Sequence, residues 1–366
     1  MFLAWREPSG RRVPGAARIH AALAVLGLLL AGCEPRRGGE SATPPQATRR
    51  QFVDSEWETR WVFGGDSRDT VLIIPFALAA GGGHVYVADV AEPRVAAIRV
   101  VDGSLAWIAG RRGRGPSEFK RVDAIVATPD GGVMVADGGN GRIAVLDRTG
   151  RTVRYIRPEG VPIYLSLCPL ADGSVAIGTG GPANPVVHVA ADGSVIGHPR
   201  LPWPDLNKMW PAVPRQGMFA PEPDGGGCAY VLALGRGFSR FGGGRFATPH
   251  RYVEWFELPE SELYPSIPGQ PPNERLSPGW TEAVRSVVVD GDRMVVAFWG
   301  KTDDRGRLLD VYDRRTSRYR YSLRSPEPIQ RMAYTDSTYF FLQTRGGYPA
   351  LMAARVRLSG SAPGAD

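Results

Sequence analysis

Two stretches of this chain, VYVADVAEPRVAAI (Val85–Ile98) and VMVADGGNGRIAVL (Val133–Leu146), superpose without a gap at an offset of 48 residues. Val87 falls on Val135, Asp89 on Asp137, Arg94 on Arg142 and Val95 on Ile143. Each copy is an apolar strand of period two, a polar turn and a second such strand, the pattern of a β-hairpin. A strand-built repeat of this length forms the blades of a propeller, because one unit cannot bury its apolar faces alone. Turns bracket the second copy, Thr128-Pro129-Asp130-Gly131-Gly132 before it and Asp147-Arg148-Thr149-Gly150-Arg151 after it. In the first, proline fixes φ and glycine accepts a positive φ.

Weaker copies follow. Blade three is expected at Leu165–Leu170, Ser174–Ile177 and Pro185–Val189, with turns at Ala171-Asp172-Gly173 and Ala191-Asp192-Gly193. Blade four is expected at Cys228–Leu234 and Tyr252–Leu258, and blade five at Ser286–Val289, Met294–Trp299, Leu308–Tyr312 and Tyr319–Leu323. Blade six takes Arg331–Tyr334, Tyr339–Gln343 and Leu351–Leu358, one strand short, while Trp57–Phe63 stands alone at the start. The expectation is an all-β, six-bladed propeller of four-stranded antiparallel blades over residues 56–358. The N-terminal strand near Trp57–Phe63 closes its ring and removes the open edge. A seventh blade would have to hide in the long segments around blade four.

VMVADGGNGRIAVLD resembles the NHL repeat, with a strand ending in Ala-Asp, an Asn-containing turn, an arginine and an apolar strand. The upstream Gly110–Phe119 run, GRRGRGPSEF, is similar to the glycine-rich inter-blade loop of that family. Blades three to six lack the Ala-Asp…Arg core, so the resemblance carries over no functional position there.

The N-terminus reads as an export signal: a basic stretch, the apolar run Ala21–Leu30, then Leu30-Ala31-Gly32-Cys33. The apolar run is too short to span a bilayer. The last four residues resemble the lipobox of bacterial lipoproteins. That resemblance implies diacylation of Cys33, cleavage just before it and a lipid-anchored protein of the cell envelope; an ordinary cleaved signal or short anchor is the alternative. Arg11-Arg12 is followed by Val13-Pro14, which leaves the export route open. Residues 1–32 are thus the expected signal. Residues 33–55 are the expected lipidated flexible tether, polar and rich in Gly, Pro and Ser. Residues 359–366 are expected to be a disordered tail. The whole plan resembles the exported six-bladed propeller lipoproteins of bacteria.

Of 44 basic and 37 acidic residues, Arg6, Arg11, Arg12, Arg18 and Glu7 lie in the signal, which leaves 40 against 36. So small a surplus argues against a nucleic-acid partner. Cys168 and Cys228 can pair in an oxidising compartment or stay free, since two cysteines make no framework pattern. His84, His188, His198 and His250 have no metal-ligand spacing, and His188, on an apolar strand, reads as a core or blade-interface residue. HExxH, CxxC and GxSxG are absent, and no cofactor is implied.

Loops joining the second strand to the third, and one blade to the next, share a face of a propeller. That face receives Asp89–Arg94, Asp137–Arg142, Gly110–Phe119 and the long segments Leu201–Asp224 and Pro259–Glu282. The candidate binding residues are Arg111, Arg112, Arg114, Trp203, Trp210, Tyr264 and Trp280. Aromatics on long proline-stiffened loops either bind or plug. Asp89 and Asp137 are expected to accept backbone N–H bonds at their turns, with Arg94 and Arg142 pairing with such carboxylates or lining the same face. The expected function is binding of an envelope protein, peptide or glycan. A metal-dependent hydrolase or lyase (lactonase-like), with ligands converging in the central channel, is the alternative from another class.

Overall fold

The structure is a computed structural model that describes residues 47–161, 164–179, 184–206, 216–256, 261–264, 273–276, 281–301 and 303–359. The expected signal, Cys33 and most of the expected tether lie outside the described residues.

The chain enters through β1 (Ser55–Gly64). Blade one is β2 (Pro75–Gly81), β3 (His84–Asp89), β4 (Arg94–Arg99) and β5 (Leu105–Ala109). Blade two is β6 (Val122–Ala127), β7 (Val133–Asp137), β8 (Arg142–Leu146) and β9 (Thr152–Ile156). Blade three is β10 (Ser166–Pro169), β11 (Val175–Gly178), β12 (Val186–Val189) and β13 (Val195–Gly197). Blade four is β14 (Gly217–Pro221), β15 (Cys228–Leu232) and β16 (Gly237–Gly242), edged by β17 (Arg245–Phe246) and β18 (His250–Arg251). A small hairpin follows, β19 (Ser261–Tyr264) with β20 (Asn273–Leu276). Blade five is β21 (Val284–Asp290), β22 (Arg293–Phe298), β23 (Leu308–Asp313) and β24 (Tyr319–Arg324). Blade six is β25 (Arg331–Thr335), β26 (Thr338–Arg345) and β27 (Tyr348–Leu358), with β1 as its fourth strand. All strand pairings within the blades are antiparallel, and the fold is the expected six-bladed propeller.

β1 closes the ring by pairing antiparallel with β27, from Ser55 opposite Leu358 to Gly64 opposite Ala350, with a register shift between Thr59 and Trp61. It also reaches both neighbouring blades. The Trp57 indole donates to the Arg324 carbonyl of blade five, and the Trp61 indole to the Val100 carbonyl of blade one, both at 3.0 Å. Trp107 of β5 repeats the second contact one blade on, donating to the Arg148 carbonyl at 2.8 Å. Each of these two indoles lies flat against a turn glycine at positive φ, Gly103 under Trp61 and Gly150 under Trp107. A Cβ at either glycine would stand 2.6 and 2.8 Å from its ring. The closing strand therefore packs as the fourth strand of blade one does.

Two places differ from the sequence reading. In blade four the innermost strand is Gly217–Pro221, inside a segment expected to be irregular loop, and the outer strand is two short pieces rather than Tyr252–Leu258. GMFAP carries no alternation, because both sides of an innermost strand are covered; glycine and proline at its ends also read as turn signals. The second difference lies in the segment expected to be a tether. Gln51–Val53 lies parallel against β24, with Val53 N–H donating to the Ser322 carbonyl and Ser322 N–H to that of Gln51. Arg50 forks onto the buried Asp310 at 2.8 and 2.9 Å, also pairs with Glu254, and covers the Phe298 ring at 4.4 Å. Among the described residues, contacts with the blades thus begin at Arg50, before the boundary that composition suggested.

Cys168 of blade three and Cys228 of blade four are joined in a disulfide. Both are fully buried in the cluster that the two blades share, with Trp203, Phe219 and Phe241.

Candidate binding face

The repeated Asp and Arg hold the loops of one face. At the end of β3, Asp89 Oδ2 accepts the Ile73 and Ile74 N–H groups at 2.8 Å each, and Oδ1 accepts those of Ala91 and Glu92. One carboxylate so ties the inter-blade loop at residues 64–75 to the turn that follows its own strand. Asp137 repeats this 48 residues on. Its Oδ1 accepts the N–H groups of Lys120 and Arg121, and its Oδ2 accepts from Asn140 and Arg142. The arginines take the carbonyls of the same loops. Arg94 donates to Thr70 and Val71; Arg142 donates to Gly115 and Glu118 and stacks on Tyr155 at 4.3 Å. Arg142 pairs with Asp137 at 3.1 Å, both side chains buried, whereas Arg94 pairs with Glu92 and not with Asp89. Aspartate for the amides and arginine for the carbonyls satisfies loop backbone that has no strand to pair with.

The loops held this way carry an apolar patch beside a basic recess. Ile73, Ile74 and Val90 are exposed, and Val90 N–H donates to the Ile74 carbonyl at 3.1 Å. Val90 and Pro93 also line a recess of about 460 Å³ with Arg112, Lys120, Arg121, Gly138 and Gly139. Arg121 is engaged by Asp123 at 2.6 Å, and Arg112 gives one bond of 3.3 Å to the Ala91 carbonyl. Lys120 has no carboxylate partner among the described residues. Arg111 is held by Glu118 at 2.8 Å, so the cluster of Arg111, Arg112 and Arg114 is partly neutralised by its own loop. Hydrogen bonds from Gly115 and Arg111 hold the Glu118 carboxyl below its ordinary pKa.

The expected aromatics divide differently. Trp203 is 6% exposed and packs against Leu206 and Cys228, which removes it from the binding set. It acts as a plug, buried in the apolar cluster that blades three and four share. Phe219, in the same stretch, lies on β14 and lines the channel. Trp210 and Trp280 lie outside the described residues, as does the side chain of Tyr264, whose backbone ends β19. The exposed aromatics that the structure describes on this face are Trp255 and Tyr348, which the sequence reading did not single out.

All six innermost strands line the central channel. Its far part, about 410 Å³, is walled by Ala79, Val126, Val288, Ala333 and their neighbours. The part nearest the loop-rich face, about 280 Å³, carries Asp123, Ser166, Gln216, Glu282, Arg285 and Arg331. Among the described residues no group of three or more His, Cys, Asp or Glu side chains is placed to hold a metal ion. His188 is buried between blades three and four, hydrogen-bonded to the Ser174 hydroxyl at 2.8 Å and edge-on to Phe241. Burial pushes its pKa down against the pull of Asp172. His250 stacks on Phe238 at 5.7 Å, and burial lowers its pKa as well.

This arrangement is a six-bladed propeller with one face built from held loops. Among solved structures it is similar to a candidate exported protein from Bacteroides fragilis, at 9% identity, 84% of this chain, 96% of that one and a TM-score of 0.54. It is also similar to virginiamycin B lyase from Staphylococcus aureus, at 10% identity, 82% and 99% coverage and a TM-score of 0.49. BamB from Moraxella catarrhalis matches at 10% identity, 81% and 89% coverage and a TM-score of 0.41. At such identities the likeness concerns the fold alone. No protein-family model matches the chain, and no curated protein matches it.

Proposed function

We propose that this protein is an exported, lipid-tethered propeller that binds a protein or peptide partner in the bacterial cell envelope through its loop-rich face. The observation that carries the reading is the pairing of exposed Ile73, Ile74 and Val90 with the recess of Arg112 and Lys120. An apolar surface rimmed by cations suits an amphipathic, acidic partner surface better than a neutral glycan. Both halves of the site are set by the Asp89 and Asp137 clamps, so the face is organised before any partner arrives.

The envelope half of the reading rests on Leu30-Ala31-Gly32-Cys33. The buried disulfide supports it, since such bonds persist in oxidising compartments. No helix among the described residues is long and apolar enough to cross a membrane, and lipid on Cys33 supplies the attachment. Radiolabelled palmitate fed to producing cells should enter the wild-type chain and not Cys33→Ala; label retained in that variant overturns the tether. For the face, cross-linked envelope extracts should show the wild-type chain in a larger species. Ile74→Glu with Lys120→Glu should return it to monomer size, and unchanged migration overturns the reading.

A further inference from the structure

Among the described residues, the loop-side mouth of the channel holds one guanidinium more than its carboxylates can satisfy. Five blades contribute a polar residue near the head of their innermost strand: Asp123, Ser166, Gln216, Arg285 and Arg331. Asp123 is already forked by Arg121, at 2.6 and 3.0 Å. Glu282 is taken by Arg285, whose guanidinium also lies 3.6 Å above the Trp299 ring. Arg331 is left with carbonyls only, Gln330 at 2.9 Å and Arg285 at 3.4 Å. No carboxylate among the described residues lies within ion-pair distance of it.

An arginine stays charged in any protein setting, so withdrawing it from water without an anion is unfavourable. Burial does press on the Arg331 guanidinium, lowering its pKa, with the Arg285 charge adding to the effect and Glu282 opposing it. A planar fork matches carboxylates and phosphates through two parallel N–H···O bonds; with Arg285 paired to Glu282, the single uncompensated charge suits the monoanionic carboxylate. The mouth has room for a few carbons behind such a group, about 280 Å³, and the Gln216 amide and Ser166 hydroxyl border the same space.

We infer that the loop-side mouth of the channel is a carboxylate-binding site in which Arg331 and Arg285 grip the anion. This goes beyond the docking patch of Ile73, Ile74 and Val90 and does not depend on it. The carboxylate comes either from a free small acid or from the end of a peptide entering from the loop-rich face.

Calorimetric titration of the full-length chain in detergent separates these sources. The probes are succinate and the tripeptide Ala-Ala-Ala with a free or an amidated C-terminus. Saturable one-to-one binding of succinate assigns the site to small acids; binding of the free-acid tripeptide alone assigns it to peptide ends. Arg331→Gln should weaken whichever probe binds at least ten-fold, with thermal unfolding unchanged. If that variant fails to fold, Arg331→Lys, which keeps the charge and loses the fork, should still weaken binding several-fold. Lys120→Glu, in the docking patch, should leave both probes unaffected. No saturable binding of either probe, equal binding of the amidated tripeptide, or affinity indifferent to the Arg331 variants would overturn the inference.

Discussion

Blades one and two are held by a device used twice, whereas blades three to five are held by ties used once. In the first region Asp89 and Arg94, then Asp137 and Arg142, each fix an inter-blade loop, and Trp61 and Trp107 each cap the next blade's turn. In the second region the Cys168–Cys228 disulfide joins blade three to blade four. Arg50, from before the first strand, is paired with Asp310 on blade five. The turns joining third to fourth strands stay alike in blades one, two, three and five, whereas blade four turns through Gly243 and Gly244. Asp102, Asp147, Asp192 and Asp313 each accept a backbone N–H and a Ser or Thr hydroxyl. A propeller can therefore lose its loop clamps blade by blade while keeping most of its turns, provided a cross-link between distant residues takes over.

The comparison can be broken at its seam. Deleting residues 56–63 removes the strand that pairs with β27 and touches both neighbouring blades, so the cooperative unfolding transition should disappear in a denaturant titration. A retained transition at the wild-type midpoint would mean the ring does not need this strand. Within the repeats, the two clamps should differ. Asp137→Ala strands the buried Arg142 charge and should destabilise by about 3–5 kcal/mol. Asp89→Ala loses backbone hydrogen bonds only, and about 1–3 kcal/mol is expected in urea unfolding. Equal losses would show that the Asp137–Arg142 pair adds nothing to the repeated pattern.

In the second region, replacing Cys168 and Cys228 together by serine opens a closure spanning 60 residues in sequence. By the chain-entropy account this costs about 4 kcal/mol. The loss should be seen in non-reducing unfolding and match that of the wild type under reductant. The smallest expected effect is at the shared turn. Burial would raise the Asp313 carboxyl, but the Thr316 N–H, the Arg320 guanidinium and the Thr316 hydroxyl outweigh it and bring the pKa to about 2. The folded value lies below the unfolded one of about 4, so the stabilisation is complete above pH ~4 and lost as pH falls toward 2. Solvent screening keeps it under about 1 kcal/mol. Asp313→Asn should thus be slightly less stable than the wild type at pH 7, and the gap should close by pH 2.

The same contrast explains what could be read in the sequence. The blades and the closing strand were legible because strand periodicity and turn residues are local. The aspartates and arginines stood out because they recur at 48 residues. Their division of labour, amides to one and carbonyls to the other, was not legible, since it depends on where the inter-blade loop returns. The innermost strand of blade four was hidden by its covered faces, and the hairpin Ser261–Tyr264 with Asn273–Leu276 by the prolines around it. The Arg50–Asp310 pair spans 260 residues, a distance over which sequence carries no pattern. Arg331 was invisible for a different reason. It looks like any charge at a strand end, and only the ring of six strands reveals that its neighbouring carboxylates are already taken.

Site-specific photo-crosslinking in cells most directly tests the central claim, that the loop-rich face is the working surface. A crosslinking residue would be placed at Ile74 or Val90 on that face, and at Val101 or Val153 away from it; all four are exposed. Discrete adducts are expected from Ile74 and Val90 and none from Val101 and Val153. Adducts arising only from the latter pair, or from all four positions alike, would contradict that claim.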